Sequence, residues 1–287
     1  MKTSRSGWAA ALALLALPGC AWAWGQNGHR IVGEVADRHL SEQARREIAV
    51  ILEGDGMAEA STWPDDIRSD PSRDAAKPWH FISIDDTETL ANTARDPLGD
   101  LLEALQRFEA VLRDPQATRE TKAEALRFYV HFVGDAHQPL HVGRRGDRGG
   151  NSIRVKWFRE PSNLHSVWDT GLIEAENLSF TEFTRFIDDR SPRQVAAWQA
   201  APYEEWVREA FCLRGAVYDF GREAPATPGA EPELGFGYAF AKMGIVEEQL
   251  VKAGVRLAAR LNAVFAGEPA PPPPAEIPPS SDAWCGR

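Results

Sequence analysis

Apolar residues recur along most of this chain at helical spacing. Ile31, Val32, Val35 and Ala36 form a stripe behind Gly28, and Ile48, Ile51 and Leu52 form another behind Ser41, a residue suited to cap a helix. Pro97 opens an amphipathic segment whose inner face carries Leu101, Leu102, Leu105, Phe108, Val111 and Leu112, read as core. From about Thr118 a further helix carries Leu126, Tyr129, Val130 and Val133; it is expected to end near Gln138, because Pro139 disfavours a helical residue before it. Residues 149–158 alternate Ile153, Val155 and Trp157 against polar neighbours, the pattern of a short strand or hairpin. Helices are expected again around 163–174, 181–190, 203–219 and 236–266. With no βαβ rhythm and no internal repeat, the pattern predicts a single compact, mainly α domain with a short β-hairpin.

The two ends read differently. Lys2 and Arg5 precede an uncharged stretch from Ala9 to Leu17, then Pro18 and the small-residue site Ala21-Trp22-Ala23, so residues 1–23 read as a signal peptide and the mature chain as beginning at Trp24. The rival, a lipoprotein signal acylating Cys20, fits badly because Pro18 lies in its motif. No later apolar run is long enough to span a bilayer, so an exported protein, periplasmic or secreted, with no membrane contact after cleavage is expected. Residues 24–267 form the domain and 268–287 a proline-rich tail, since 269–279 hold seven prolines in eleven positions and favour an extended spacer.

Composition is ordinary for a soluble domain, 43% hydrophobic and 26% charged over 287 residues, which excludes disorder, collagen and coiled coil. Charge changes the picture more. Loss of residues 1–23 removes Lys2 and Arg5 but no acid, leaving 30 basic against 42 acidic residues, a formal charge of −12. A polyanion would be repelled by that field, so any such partner must be drawn by something local. Export also places Cys212 and Cys285 in an oxidising compartment, where the pair is expected to bridge and pin the tail.

The candidate chemistry lies in the histidines. His131 and Asp135 at i and i+4 place an imidazole and a carboxylate on one helical face, a geometry that grips an ion, although one such pair is as well explained by a salt-bridged helix. His165 and Asp169 repeat the spacing on a short helix that Ser162 is positioned to cap. His141 follows the helix-ending Gln138-Pro139-Leu140, where the turn swings its ring back toward Asp135. Trp63-Pro64-Asp65-Asp66-Ile67-Arg68 and Trp79-His80-Phe81 add a loop carboxylate, an arginine and another imidazole, and His29 completes the set. Imidazole and carboxylate donors without a thiolate cluster favour zinc, with manganese or iron open on ligand type alone. His39 reads as a surface or packing residue, and His137 as a residue that orients a ligand without binding.

Those segments, with Trp24-Gly25-Gln26-Asn27-Gly28-His29, Asp147-Arg148-Gly149-Gly150-Asn151 and Asn163-Leu164-His165, resemble the zinc-dependent single-strand nucleases and 3′-nucleotidases of the S1/P1 family, in order from Trp24 to about Asp169. The resemblance implies a fold of the zinc phospholipase C and P1 nuclease type and a site of three Zn2+. Asp65, His80, His131 and Asp135 would hold the first ion, His141, His165 and Asp169 the second, and Trp24, through its free amine and carbonyl oxygen, the third with His29 and Asp135. It also implies hydrolysis of single-stranded DNA and RNA to 5′-phosphorylated products and 3′-nucleotidase activity by a monomer, with Asp65 orienting the nucleophile and Arg68 stabilising a phosphate oxygen.

On the substrate side, Phe81 is free to stack on a base or to join the core. Fungal and plant members carry an acid three residues after the histidine where this chain has Ser83, which puts base preference in question. Arg144 and Arg145, in a basic loop just past His141, are expected to contact phosphates, and Asn151 to meet substrate. Two other classes remain open at this stage: a phospholipase C-like hydrolase, which shares the fold type, and a non-catalytic exported zinc-binding protein.

Overall fold

A computed structural model describes residues 24–227, 229–269 and 276–286; the expected signal peptide, residues 1–23, lies outside the described residues. The chain is mainly helical. Helix α1 (Gln26–His39) buries Ile31, Val32, Val35 and Ala36 against α12 (Phe236–Phe265), the longest helix, and the two come close because a Cβ at Gly254 would lie 2.4 Å from Val35. Helix α2 (Glu42–Ile51) starts where Ser41 accepts from the Ala44 amide, as the sequence predicts. Helices α3 (Met57–Ala60) and α4 (Trp63–Asp66) are single turns, and a 3-10 segment, Pro71–His80, follows.

Helix α5 (Leu101–Arg113) starts later than Pro97 suggests. Gly99 has φ +89°, which breaks the helical path, and Asp100 caps the helix by accepting from the Leu102 and Glu103 amides. Helix α6 (Arg119–Asp135) is capped by Thr118 and ends at Asp135, three residues before the expected Gln138. From Phe128 onward every one of its residues is buried, as befits a helix surrounded by others.

The hairpin is β1 (Arg154–Trp157) paired antiparallel with β2 (Glu160–Asn163), and β3 (Glu233–Leu234) adds a parallel edge to β1, in the order β2-β1-β3. Helix α7 (Leu164–Ser166) runs through a π turn, Val167–Gly171, into α8 (Leu172–Glu174). Its cap is Asn163, whose side chain accepts from the Ser166 amide, and not Ser162, which sits inside β2. Helices α9 (Phe180–Ile187), α10 (Pro192–Gln199) and α11 (Tyr203–Val217) complete the shell, and α13 (Ser281–Cys285) docks on α11. The expected Cys212–Cys285 disulfide is present. No helix among the described residues is long and apolar enough to cross a membrane.

Candidate metal centre

Helix α6 supplies the middle of the site. His131 and Asp135, one turn apart and fully buried, bring Nε2 and Oδ2 to 3.5 Å. The His131 ring is fixed because its Nδ1–H donates to the Ser61 carbonyl at 2.8 Å, so Nε2 carries the lone pair and faces Asp65 Oδ1 at 3.9 Å. Asp65 is carried by α4 and not by a loop, with Pro64 in the first turn setting the backbone. His80, at the end of the 3-10 segment, turns Nδ1 to within 3.1 Å of both His131 Nε2 and Asp135 Oδ2.

His29, in the first turn of α1, stacks on His131 with centroids 3.8 Å apart and places Nε2 3.5 Å from Asp135 Oδ1. Gly134 makes that approach possible, since a Cβ there would lie 2.8 Å from His29 Nδ1. Trp24 is fully buried beside this group, and the Gly25 amide donates to the Asp169 carbonyl at 2.6 Å, tying the start of the domain to the second histidine pair.

That second pair spans the α7 to π-turn junction, with His165 Nε2 and Asp169 Oδ2 3.0 Å apart. His141 joins them, its Nε2 3.8 Å from Asp169 Oδ1 and its Nδ1 3.6 Å from Asp135 Oδ1. Here too backbone carbonyls set the rings: His141 Nδ1 donates to the His80 carbonyl and His165 Nδ1 to the Gly149 carbonyl, each at 2.6 Å. Gly149 is at φ +61° against the Leu140 carbonyl, which a Cβ would meet at 2.4 Å, so only glycine lets the 143–151 loop reach His165.

The sequence reading missed Gln138, whose Nε2 donates to Asp169 Oδ1 at 2.5 Å while its Oε1 accepts from the Leu140 amide. It assigned the orienting role to His137 instead. His137 turns away from the site, donating to the Val133 carbonyl and meeting Arg256 at 2.9 Å, and so belongs to a separate cluster. His39 pairs with Asp188 at 2.9 Å, as a packing residue would.

Three groups of donors thus converge, His29/His131/Asp135, Asp65/His80/His131 and His141/His165/Asp169, each with atoms within 4.8 Å of one another and all buried. Ligands about 2.0–2.1 Å from one tetrahedral ion stand roughly 3.3 Å apart, and the separations above scatter around that value. Both nitrogens of His29, both oxygens of Asp65 and Oδ1 of Asp135 are buried with no hydrogen-bond partner among the described residues. Leaving so many polar atoms unsatisfied is costly unless a cation fills the space between them.

The electrostatics agree. Burial, then Asp65 and Asp169, pushes Asp135 well above the usual carboxylate range, and burial lifts Asp65 and Asp169 to about 6. Burial also lowers His131 to about 3 and holds His29 and His80 well below the usual imidazole range. Neutral imidazoles with inward lone pairs and three crowded carboxylates form a donor set suited to zinc. Arg68 stands at the edge, its charge acting on Asp65, Asp135, His80 and His131, on the wall of a cavity of about 10 Å³ that it shares with His80, Pro64 and Lys77.

Phe81 is 43% exposed beside His80, and Ser83 is half-buried two residues on. Arg145 is tied to Asp85 at 2.8 Å, to Glu88 at 3.3 Å and to the Ser83 carbonyl at 3.0 Å. Arg144 pairs with Asp86 at 3.0 Å and lies over the Tyr218 ring. Both guanidiniums brace the 83–88 segment, and a phosphate would have to compete with those carboxylates. Asn151 donates to the Arg148 carbonyl within its own loop.

The S1/P1 nuclease family model matches residues 24–266, well beyond the motifs that end at Asp169. Endonuclease 4 of Arabidopsis thaliana is 30% identical, covering 94% of this chain and 98% of the relative. Nuclease P1 of Penicillium citrinum is 28% identical over 85% of this chain and 99% of its own, and nuclease S1 of Aspergillus oryzae 32% over 56% and 58%. The unsatisfied donor cluster lies within the residues that the family model matches, and the chain belongs to the S1/P1 nuclease family.

Proposed function

We propose that this protein is a zinc-dependent phosphodiesterase that cleaves single-stranded DNA and RNA to 5′-phosphorylated products, with 3′-nucleotidase activity at the same centre. The observation that carries the reading is the set of buried His29, Asp65 and Asp135 atoms left without hydrogen-bond partners around three carboxylates. Nuclease and endonuclease are the names of the relatives, and the matches cover 98% of Endonuclease 4 and 99% of nuclease P1.

Asp65, His80, His131 and Asp135 would hold one ion; His141, His165 and Asp169 a second; and His29, Asp135 and the amine and carbonyl oxygen of a mature Trp24 a third. Zinc bound there supplies Lewis acidity and brings the pKa of water into the neutral range. The chain's own residues do the rest. The Asp65 carboxylate accepts a hydrogen bond from the attacking water and fixes its approach in line with the leaving 3′-oxygen. Arg68 presents a planar fork to a non-bridging phosphate oxygen, where charge grows in the transition state. Phe81 offers a face on which a base of any identity stacks, which suits single strands and no particular sequence. Ser83 beside it offers a hydroxyl, where an acid would select bases more strictly.

Product analysis tests the reading. Single-stranded oligonucleotides should yield 5′-mononucleotides, double-stranded DNA should be cut far more slowly, and lecithin should release no phosphocholine. Phosphocholine release without nucleotide release would assign the centre to lipid headgroups, and zinc uptake without hydrolysis of either would leave a binding protein.

A further inference from the structure

The family match ends at residue 266, yet the chain continues and returns to the domain. Thr89 Oγ1 donates to the Pro278 carbonyl at 2.9 Å, and Asn92 Nδ2 donates to the Pro279 carbonyl at 3.1 Å. Asn92 also accepts from the Thr89 amide at 2.8 Å, so the two hydroxyl and amide donors are held as one unit. Prolines suit this task, because their fixed φ presents successive carbonyls with little backbone freedom left to lose. Beyond them, Trp284 is buried against Phe211 with centroids 5.0 Å apart, Arg208 donates to its carbonyl at 3.2 Å, and Cys285 is bonded to Cys212.

The loop gripped in this way leads straight to the site. Thr93 Oγ1 donates to the Ser83 carbonyl at 2.9 Å, and Ile82 and Ile84 donate to the carbonyls of His141 and Gly143 at 2.8 and 3.0 Å. Arg214, buried two residues after Cys212 on α11, donates to the carbonyls of Ile84 and Val142 and to Asp86. One helix therefore holds the substrate-facing segment directly through Arg214 and the tail through Cys212, while the tail holds the far side of the same segment.

We propose that residues 276–286 are a positioning element for the 81–93 segment, setting how tightly a nucleobase is held beside Phe81 and Ser83 while leaving the metal centre alone. The proposal rests on the reading that this segment faces the base. The hydrogen bonds, ring contact and disulfide named above end on Thr89, Asn92, Arg208, Phe211 and Cys212, and none of these is a candidate ligand. Freed of the tail, the 89–93 loop loses two hydrogen bonds, and the Thr93 link to the Ser83 carbonyl loses its backing.

Two full-length variants test this, Cys212→Ser with Cys285→Ser on the tail side and Thr89→Val with Asn92→Ala on the loop side. Each is compared with the unaltered protein on bis(p-nitrophenyl) phosphate, a phosphodiester with no base, and on a deoxydinucleoside monophosphate, with zinc content measured alongside. Both variants should raise KM for the dinucleotide about five- to tenfold, with kcat, zinc content and the base-free reaction within about twofold of the unaltered protein. An unchanged dinucleotide KM in the loop-side variant overturns the proposal whether or not the cysteine variant folds well. Equal losses on both substrates with zinc released overturn it too, since the tail would then only stabilise the fold. An unaltered protein inert on both substrates overturns the functional reading itself and the positioning role with it.

Discussion

Two buried polar clusters flank the end of α6, and they solve the same problem in opposite ways. On one side His137, Glu209, Arg256 and Lys252 are closed on themselves. Arg256 makes a bidentate pair with Glu209 at 2.9 Å, also meets His137 at 2.9 Å and donates to the Trp198 carbonyl, while Lys252 stands 3.3 Å from Glu209. Burial pushes the Glu209 carboxyl up, but the hydrogen bonds and charge of Arg256, with Lys252, bring it down to about 2. On the other side, the three carboxylates of the metal centre face imidazoles and one edge arginine, and burial holds them high. A cluster that contains its own cations is structural; a cluster that lacks them is built for a cation from outside.

Chelation should separate the two most sharply. Stripping zinc is expected to abolish hydrolysis and to lower Tm by roughly 10 °C or more, because His29, Asp65, His80 and His141 come from separate segments that the ions tie together. Calorimetry with and without chelator measures it, and an unchanged transition after verified metal removal would make the centre peripheral to the fold.

Glu209→Gln should do the reverse. It leaves Arg256 without its carboxylate, while Lys252 keeps Glu248 at 2.8 Å, and should cost about 3 kcal/mol of stability, read by denaturant unfolding, with zinc content and kcat intact. Loss of zinc in that variant would show the two clusters to be one.

Gln138→Ala is a finer probe. With Asp169 no longer oriented, zinc affinity at the His141/His165/Asp169 group should fall about tenfold, measured by competition with a chelating dye. An unchanged affinity would mean that the Gly149 and His80 carbonyls suffice to set the geometry.

Several features of the fold and site are legible in the sequence alone. The i, i+4 pairs His131/Asp135 and His165/Asp169, the helical stripes of α1, α2 and α6 and the Cys212–Cys285 bridge all write themselves in residue type and spacing. What escaped was written in the backbone or in distant partners. The carbonyls of Ser61, His80 and Gly149 that fix the histidine rings leave no mark in side-chain identity. Arg144 and Arg145 look like a free basic loop until Asp85, Asp86 and Glu88 fold back from about sixty residues earlier. α10 buries no residue fully, and β3 is two residues long, so neither carries a periodicity to find. His137 misled for a related reason: two residues from Asp135 along the chain, it points the other way once α6 has ended.

Acid offers the mildest way to set the clusters apart. With Asp65 and Asp169 at about 6 in the absence of metal, protons compete with zinc as pH falls through that value, so zinc affinity should decline steeply below about pH 6. Glu209, held at about 2, contributes stability that is present above its ordinary value near 4.5 and is lost only as pH falls toward 2. Between about pH 4.5 and 6 the protein should therefore release zinc while near-ultraviolet circular dichroism still reports a packed core. Unfolding that coincides with zinc release would contradict the separation.

The most direct test of the central claim is the zinc content of purified protein whose chain begins at Trp24, determined by elemental analysis against amino-acid quantitation. The three donor groups, two of which share His131, together with the Trp24 amine predict three zinc ions per chain. A preparation that refuses zinc, or that remains folded and holds at most one ion in excess zinc, would contradict the assignment of these carboxylates and imidazoles to a multinuclear metal centre.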